Sequence, residues 1–401
     1  MSAAMTIETF PASRAAALTR LAAFAPRMGA PYAAGRNSDP GPGQRADVSL
    51  LSPAVRHRLV TEAELVGTAL AHHGAARAEK FIQEVFWRSY WKGWLELRPD
   101  IWDAYRAELA RDRAALATNG GLRKAYETAV AGATGIACFD TWMAELRESG
   151  WLHNHVRMWV ASIWIFTLRL PWTLGAELFL HHLLDGDAAS NTLSWRWVAG
   201  IQTPGKHYVA RAENIRRHTL GRFDPTGELD ENPLPLAAPP LPAPRPLPRA
   251  DALPAGPFLL LLHEDDLQAE SLLPLGAPVA AIGAIAVPER RGPTGCAPLV
   301  AAYVRQAVED SLSRAARHFA APAEMLAPED VARWAAGRPV VTPCAPVGWT
   351  AEALRRLGVT PLQIRRDWDE ACWPRATKGF FPFRESIPAL LDRLRPLPPT
   401  G

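Results

Sequence analysis

Between Asn232 and Pro257 the chain reads NPLPLAAPPLPAPRPLPRADALPAGP. Proline has no backbone N–H and a locked φ, so a run this dense in it cannot sit inside a helix or a central strand. The segment reads as an extended, semi-rigid spacer on which no packed element should be placed. It therefore divides the chain, and the two sides carry different patterns. At 401 residues there is length for two domains, each with a core of its own. The expected division is 1–230, a linker over 231–257, and 258–401.

Up to about Asp230 the periodicity is helical almost throughout. FIQEVFWRSYWKGWLELRPDIWDAY places Phe81, Val85, Trp91 and Leu95 at helical intervals. Pro99 and Asp100 mark a stop and a new start. Further helices are predicted over TWMAELRESG, ending at Gly150, from Trp151 to about Leu170, and from Pro171–Trp172 to His182. Beyond the spacer, FLLLLHEDD, APVAAIGAIAV and RPVVTPCAPV read as buried strands. Between them lie the helical stretches PLVAAYVRQAVEDSLSRAARHF and EDVARWAAG, which predicts an α/β layered domain with a mostly parallel sheet. No GxGxxG or Walker-type loop follows any of these strands, so no motif supports a nucleotide site there.

Net charge is only +3, which permits a polyanionic partner without demanding one. The four cysteines, Cys138, Cys296, Cys344 and Cys372, have no zinc-like spacing, so free thiols, no metal and a reducing compartment are expected. No apolar signal-peptide core opens the chain, and the apolar span from Trp159 to Leu170 is too short to cross a bilayer. A cytoplasmic protein, with no membrane association, is the expectation.

Polar groups concentrate on three helical segments. Glu84, Trp87, Arg88 and Trp91 share one stripe, which a solvated helix edge explains as well as a site does. In WLHNHVRMW, Asn154, Arg157, Met158 and Ala161 share a face, and an arginine buried there needs an anionic partner. His153 and His155, two apart, make poor joint metal ligands and are expected on the surface or at a cap. In LLDGDAASNTLSWRWVAG, Asp187, Asn191 and Trp195 repeat every four residues, with Asp185 just ahead as a partner for Arg157. Together they would make a polar pocket walled by some of the chain's 15 tryptophans, suited to a large, planar, polar cofactor.

The runs GWLHNHVRM, LPWTLGAELF and LLDGDAASNTLSWRW resemble, in that order, the FAD-binding domain of DNA photolyases and cryptochromes. Tyr32–Arg36, the SLLS of Ser49–Ser52 and the QEVFWR of Gln83–Arg88 agree with it, so the resemblance runs over about residues 15 to 225. It implies an all-helical photolyase-type FAD-binding domain followed by a smaller α/β layered domain. FAD would be held by Tyr32, Ser49, Leu50, Ser52 and Arg88 at its phosphates and ribitol, and by Trp151 and Asn154 along the folded cofactor. Arg157 would pair with Asp185 beside the ring, Asp187 would bond near the ribityl or ring edge, and Asn191 would face N5. Glu84, Trp87, Asn154, Met158 and Trp197 would line a cavity for a flipped lesion, and the Asn154/Met158 pairing looks like the cyclobutane-dimer class.

The resemblance implies light-driven electron transfer from reduced FAD to pyrimidine dimers in DNA; the oligomeric state is unknown, with a monomer expected. The alternative is a cryptochrome-like blue-light photoreceptor that binds FAD without repair; a flavoprotein with a light-independent role is a third reading. Of the family's three electron-transfer tryptophans, Trp195 and Trp172 match the first two. No tryptophan matches the third; Tyr126 or another route would take its place. Val48 stands where the family has a hydroxyl residue, and Phe81 where it has tryptophan. After Gly200 the likeness is loose; Lys206, Arg211, Arg216 and Arg217 are candidates for phosphate contacts. The domain order also departs, since the α/β antenna domain usually comes first. WPRATKGFFPFRESIPALL resembles the end of that domain, implying a permuted, shortened copy whose antenna pigment is unknown.

Overall fold

The computed structural model describes residues 9–237 and 239–399. These fall into two compact units, and neither is continuous in sequence. One comprises residues 9–10, Ala34–Val48 and Asp100–Ala243; the other comprises Pro11–Ala33, Ser49–Pro99 and residues 244–399.

The first unit is helical. Its helices are Asp100–Thr118, Gly120–Ala131, Ala137–Ser149, Asn154–Ser162, Trp172–His182, Ala188–Val198 and Ala212–His218; the start at Asp100, the end before Gly150 and the helix Trp172–His182 fall where the sequence placed them. Gly132 and Gly150 end two of them with φ of 67° and 66°, left-handed values that cost glycine nothing. The helix opened by Asn154 does not simply end: it passes into a π-helical turn, Ile163–Thr167. Trp142, Trp159 and Trp164 are fully buried in this unit.

The second unit holds a five-stranded sheet of β1 (Phe258–His263), β2 (Val279–Ile285), β3 (Ala323–Met325), β4 (Val340–Pro343) and β5 (Leu362–Ile364). Their order is β3-β2-β1-β4-β5, and every pairing is parallel. All six residues of β1 are buried, as the centre of a covered parallel sheet requires. The helix Pro298–Phe319 buries Val300, Val304, Ala307, Val308, Leu312 and Ala315, a stripe at helical spacing. The three strands read from sequence are β1, β2 and β4. β3 and β5, of three residues each, are too short for alternation to reveal.

The expected division at 230 and 258 does not match these units. The helices Arg14–Phe24, Glu62–Arg77 and Glu79–Glu96 belong with the sheet, because buried polar groups tie them to it. The Arg58 guanidinium bonds Glu62 at 3.2 Å, Asp266 at 3.0 Å and Asp369 at 2.7 Å. Asp266 also takes two bonds of 2.6 Å from Arg366. Arg56 pairs with Asp265, and its guanidinium lies 5.2 Å from the Trp349 ring centre. Burial opposes ionisation of Glu62, but the charges of Arg58, Arg88 and Lys92 outweigh it and hold the carboxyl down at about 2. Packing agrees: a Cβ on Gly93 would stand 2.6 Å from the Trp373 Cα, so only glycine lets the Glu79–Glu96 helix lie this close.

The proline-rich segment has no helix or strand among its described residues, as expected, but it is fastened to its surroundings. Within the helical unit, Leu236 N–H donates to the Ala199 carbonyl at 3.0 Å. Within the sheet unit, Arg245 N–H donates to the Leu97 carbonyl at 2.7 Å. Asp251 and Gln363 exchange two bonds, of 3.0 and 2.8 Å.

Glu96 gives the sheet unit a pH signature. Burial raises its carboxyl from 4.5 to about 7, partly offset by the Val347 N–H and the charges of Arg365 and Lys92. Between pH 4.5 and 7 an unfolded chain has released this proton while the folded chain still holds it, so Glu96 lowers stability as pH rises through that window. Urea midpoints should therefore decline less steeply from pH 5 to 7 in Glu96→Gln than in the parent. Identical slopes would remove Glu96 as the source.

Candidate functional site

Two of the three polar helical segments lie together in the helical unit. Gly150, at the end of one helix, packs on Leu184, and Leu184 N–H donates to the Gly150 carbonyl at 2.9 Å. This sets Trp151–Arg157 beside the Asp185 turn. Arg157 forms the pair anticipated for it: two parallel bonds to Asp185, of 3.0 and 2.8 Å, with its Nε–H donating to the Leu152 carbonyl at 2.9 Å. Bidentate geometry fixes both the charge and the plane of the guanidinium. Trp151 lies beneath two cations, Arg45 at 5.0 Å and Arg157 at 6.0 Å.

Asp187 opens the next helix as its N-cap, one carboxylate oxygen accepting the Ser190 N–H at 2.8 Å. Asn191, one turn on, is buried and donates one amide N–H to the Ala176 carbonyl at 2.8 Å. That bond fixes the amide plane. Trp195, a turn further, is buried against Phe179 at 5.1 Å. Asn154 is exposed, and Met158 and Trp197 are half-buried; Trp197 stacks on Tyr208 at 5.8 Å. Trp172 is buried, donates to Glu108 at 2.9 Å and packs on Tyr105 at 5.5 Å. His153 caps its helix, as expected, but it is fully buried rather than on the surface.

The remaining candidates lie in the sheet unit. Tyr32 packs edge-on against Phe81 at 5.2 Å. Ser49 accepts the Leu51 N–H at 3.3 Å, and Ser52 is exposed at the start of a short helix. Between them Leu50 has φ 54°, a left-handed value rare for a residue with a Cβ, and its carbonyl accepts a bond from Arg20 at 3.0 Å. Strain of this kind concentrates where a loop is shaped for a ligand. Arg88 bonds Glu62 and the Arg56 carbonyl, each at 3.2 Å. Glu84 is half-buried. Trp87 lies face to face with Phe380, ring centres 3.6 Å apart and planes 12° apart. Lys206, Arg211, Arg216 and Arg217 are exposed in the helical unit.

Sequence reading passed over Trp164, which sits in an apolar run and reads as core, and Phe380, whose stack on Trp87 links residues distant in the chain. Gly175 was the available signal for Trp164. It stands inside an otherwise good helix, and a Cβ there would meet the Trp195 ring at 2.3 Å and the Trp164 Nε1 at 3.0 Å.

Residues 81–235 match the family model described as the FAD binding domain of DNA photolyase, and the chain is similar there to photolyases and to a cryptochrome. FAD is accordingly its cofactor. Among its relatives is the deoxyribodipyrimidine photo-lyase of Streptomyces griseus, 35% identical over 181 residues, or 42% of this chain and 38% of that protein. The deoxyribodipyrimidine photo-lyase of Escherichia coli K12 is 28% identical over 229 residues, 56% of this chain and 47% of that one. Cryptochrome-1 of Arabidopsis thaliana is 37% identical over 97 residues, 24% of this chain and 14% of that protein. A solved class III photolyase from Agrobacterium tumefaciens is similar over 51% of this chain and 42% of that one, at 27% identity and a TM-score of 0.43. The chain thus spans less than half the length of each of these relatives.

The residues present fit a flavin dinucleotide. The helical unit offers a buried amide with its plane fixed, two buried carboxylates and a cation balanced by one of them. No helix among the described residues is long and apolar enough to cross a membrane.

Proposed function

We propose that this protein is a light-driven flavoenzyme that repairs cyclobutane pyrimidine dimers in DNA. The observation that carries the reading is the built pair of Arg157 and Asp185, set beside the capped helix that bears Asp187, Asn191 and Trp195. A buried charge pair is weak evidence for stability alone, so a pair held this firmly beside further polar groups points to a ligand. The relatives named as photo-lyases agree with that reading.

When bound and reduced, FAD supplies the photo-excited electron. The chain's own residues hold and orient it. Arg157, kept in plane by Asp185, presents a fixed positive charge, and Asn191 keeps one donor and its carbonyl oxygen beyond the Ala176 bond. A flipped dimer needs aromatic walls and a few hydrogen-bond groups. Asn154, Met158 and Trp197 supply these in the helical unit. Lys206, Arg211, Arg216 and Arg217 are the cations placed to meet backbone phosphates.

The deciding experiment illuminates the reduced, FAD-loaded protein with dimer-containing DNA and follows dimer loss against a dark control. Light-dependent loss is expected. Its absence, with FAD bound, leaves the photoreceptor reading, which the likeness to Cryptochrome-1 favours. Binding of dimer-containing DNA should weaken as salt rises, the log–log slope losing about 0.9 for each phosphate-binding cation removed. Lys206→Ala and Arg216→Ala measure that slope, and unchanged slopes would clear these residues of DNA contact.

A further inference from the structure

Trp195 is buried, and its indole N–H has no hydrogen-bond partner among the described residues. If this ring loses an electron, its proton has no acceptor. The oxidised ring then stays a strong oxidant that draws an electron from whichever aromatic ring touches it. The tryptophan in ring contact with it is Trp164, edge to face, with centres 6.4 Å apart and planes at 87°. Two features hold that contact. The π-helical turn Ile163–Thr167 carries Trp164, and such turns are frequent at functional sites. Gly175 lies where the two indoles converge and has no room for a Cβ. Trp164 in turn meets Tyr126, edge to face, at 6.0 Å and 89°, and Tyr126 is half-buried, so the series reaches solvent.

We propose that oxidising equivalents arising at Trp195 leave the helical unit through Trp164 and Tyr126, and not through Trp172. This rests on the reading that light-excited oxidised FAD takes an electron from Trp195. Electron tunnelling falls steeply with the gap between rings, so a series of rings in contact outruns any longer jump. The electrons balance as follows. Trp164 gives one electron to oxidised Trp195, Tyr126 gives one to oxidised Trp164, and the phenolic proton of Tyr126 passes to water. An external thiol later returns one electron and one proton to Tyr126. Trp164 cannot end the series itself, since its N–H is bonded to the Pro171 carbonyl at 2.9 Å and a carbonyl is no base.

The alternative branch makes no ring contact with Trp195 among the described residues; Trp172 has a proton acceptor in Glu108 at 2.9 Å, but the rings beyond it end in the interior. Trp172 meets Tyr105, and Tyr105 meets Trp102, at 5.5 and 5.3 Å. All three are buried. The Tyr105 hydroxyl has no hydrogen-bond partner among the described residues, and burial together with the Glu177 charge raises its pKa further. An oxidised Tyr105 could neither release its proton nor meet a reductant.

The test is flash photolysis of the FAD-loaded, oxidised protein, following tryptophanyl and tyrosyl radicals by transient absorption and electron paramagnetic resonance. The parent should yield a long-lived tyrosyl radical. Tyr126→Phe and Trp164→Phe should lose it, while Trp172→Phe keeps it. A parent without tyrosyl radical, or a Trp172→Phe variant that loses it while Trp164→Phe retains it, overturns the proposal. Far-ultraviolet circular dichroism and flavin content are measured on each variant. Should Trp164→Phe fail to fold, Tyr126→Phe, at the half-buried end, decides alone. A parent that takes up no FAD defeats the cofactor reading instead. The relay is then read in the flavin-free chain by pulse radiolysis, where Tyr126→Phe should lower tryptophan-to-tyrosine transfer and an unchanged yield overturns it.

Discussion

Arg58→Met is expected to destabilise the sheet unit by about 3–5 kcal/mol, the range for breaking a buried pair by removing one partner. Arg58 is 3% exposed and serves Glu62, Asp266 and Asp369 together. The loss is not shared equally among them. Glu62 keeps Arg88, and Asp266 keeps Arg366. Asp369 is left with the largest deficit, as a buried carboxylate whose guanidinium has gone. Methionine suits the test because it leaves an ordinary side chain at a backbone with φ 52°, so strain at that position is unchanged. The sign with pH follows from linkage. The parent's Glu62 and Asp266 carboxyls are depressed, and their stabilisation, full above about pH 4.5, is lost as pH falls. In the variant Glu62 and Asp266 lose one of the cations that depress them, so the gap from the parent should narrow in acid. Urea midpoints at pH 7 and pH 4 measure both statements. A gap that widens in acid would exclude the network as the cause.

The second large effect concerns the cofactor. Asp185→Asn keeps the shape of the side chain and removes the charge facing Arg157. Truncating a partner in a desolvated charge pair costs about 2–5 kcal/mol. The Arg157 side chain is 23% exposed, so the lower end applies: ~2 kcal/mol, or roughly thirtyfold weaker retention of FAD. Equilibrium dialysis of the folded variant reads it directly. A fall in thermal midpoint with FAD retention unchanged would make the pair structural only, and the proposed placement of Arg157 beside the flavin would be lost.

The helical half was legible because its signals are local. Gly150 as a helix end and Pro99–Asp100 as a stop and start are decided by neighbours within a few residues. The Arg157–Asp185 pair was legible for a similar reason, since both residues sit next to turns whose helices were already placed. What sequence could not reveal were choices between distant partners. The stripe on Glu79–Glu96 announces a buried face but not that Trp373 and Trp368 cover it. The acids of HEDD after β1 look like a strand end, and nothing local says that Arg56 and Arg58 neutralise them. Assigning Pro11–Ala33 and Ser49–Pro99 to the helical half failed for that reason. Trp164 was hidden by its own burial: a tryptophan among isoleucine, phenylalanine and valine reads as filling, and only its contact with Trp195 over Gly175 gives it another part to play.

The interleaving of the two units bears on how the protein is made in a cell. The helices of Ser49–Pro99 leave the ribosome well before β1 and β4, at residues 258 and 340, are made. At about 5–20 residues per second the wait is on the order of tens of seconds. Throughout it the apolar faces of those helices have no permanent partner, and Arg58 has Glu62 but neither Asp266 nor Asp369. A nascent chain of this design is a natural client for holding chaperones. Fragments cut at the proline-rich segment would carry the same defect for good: each would contain part of the sheet unit, and neither would contain all of it.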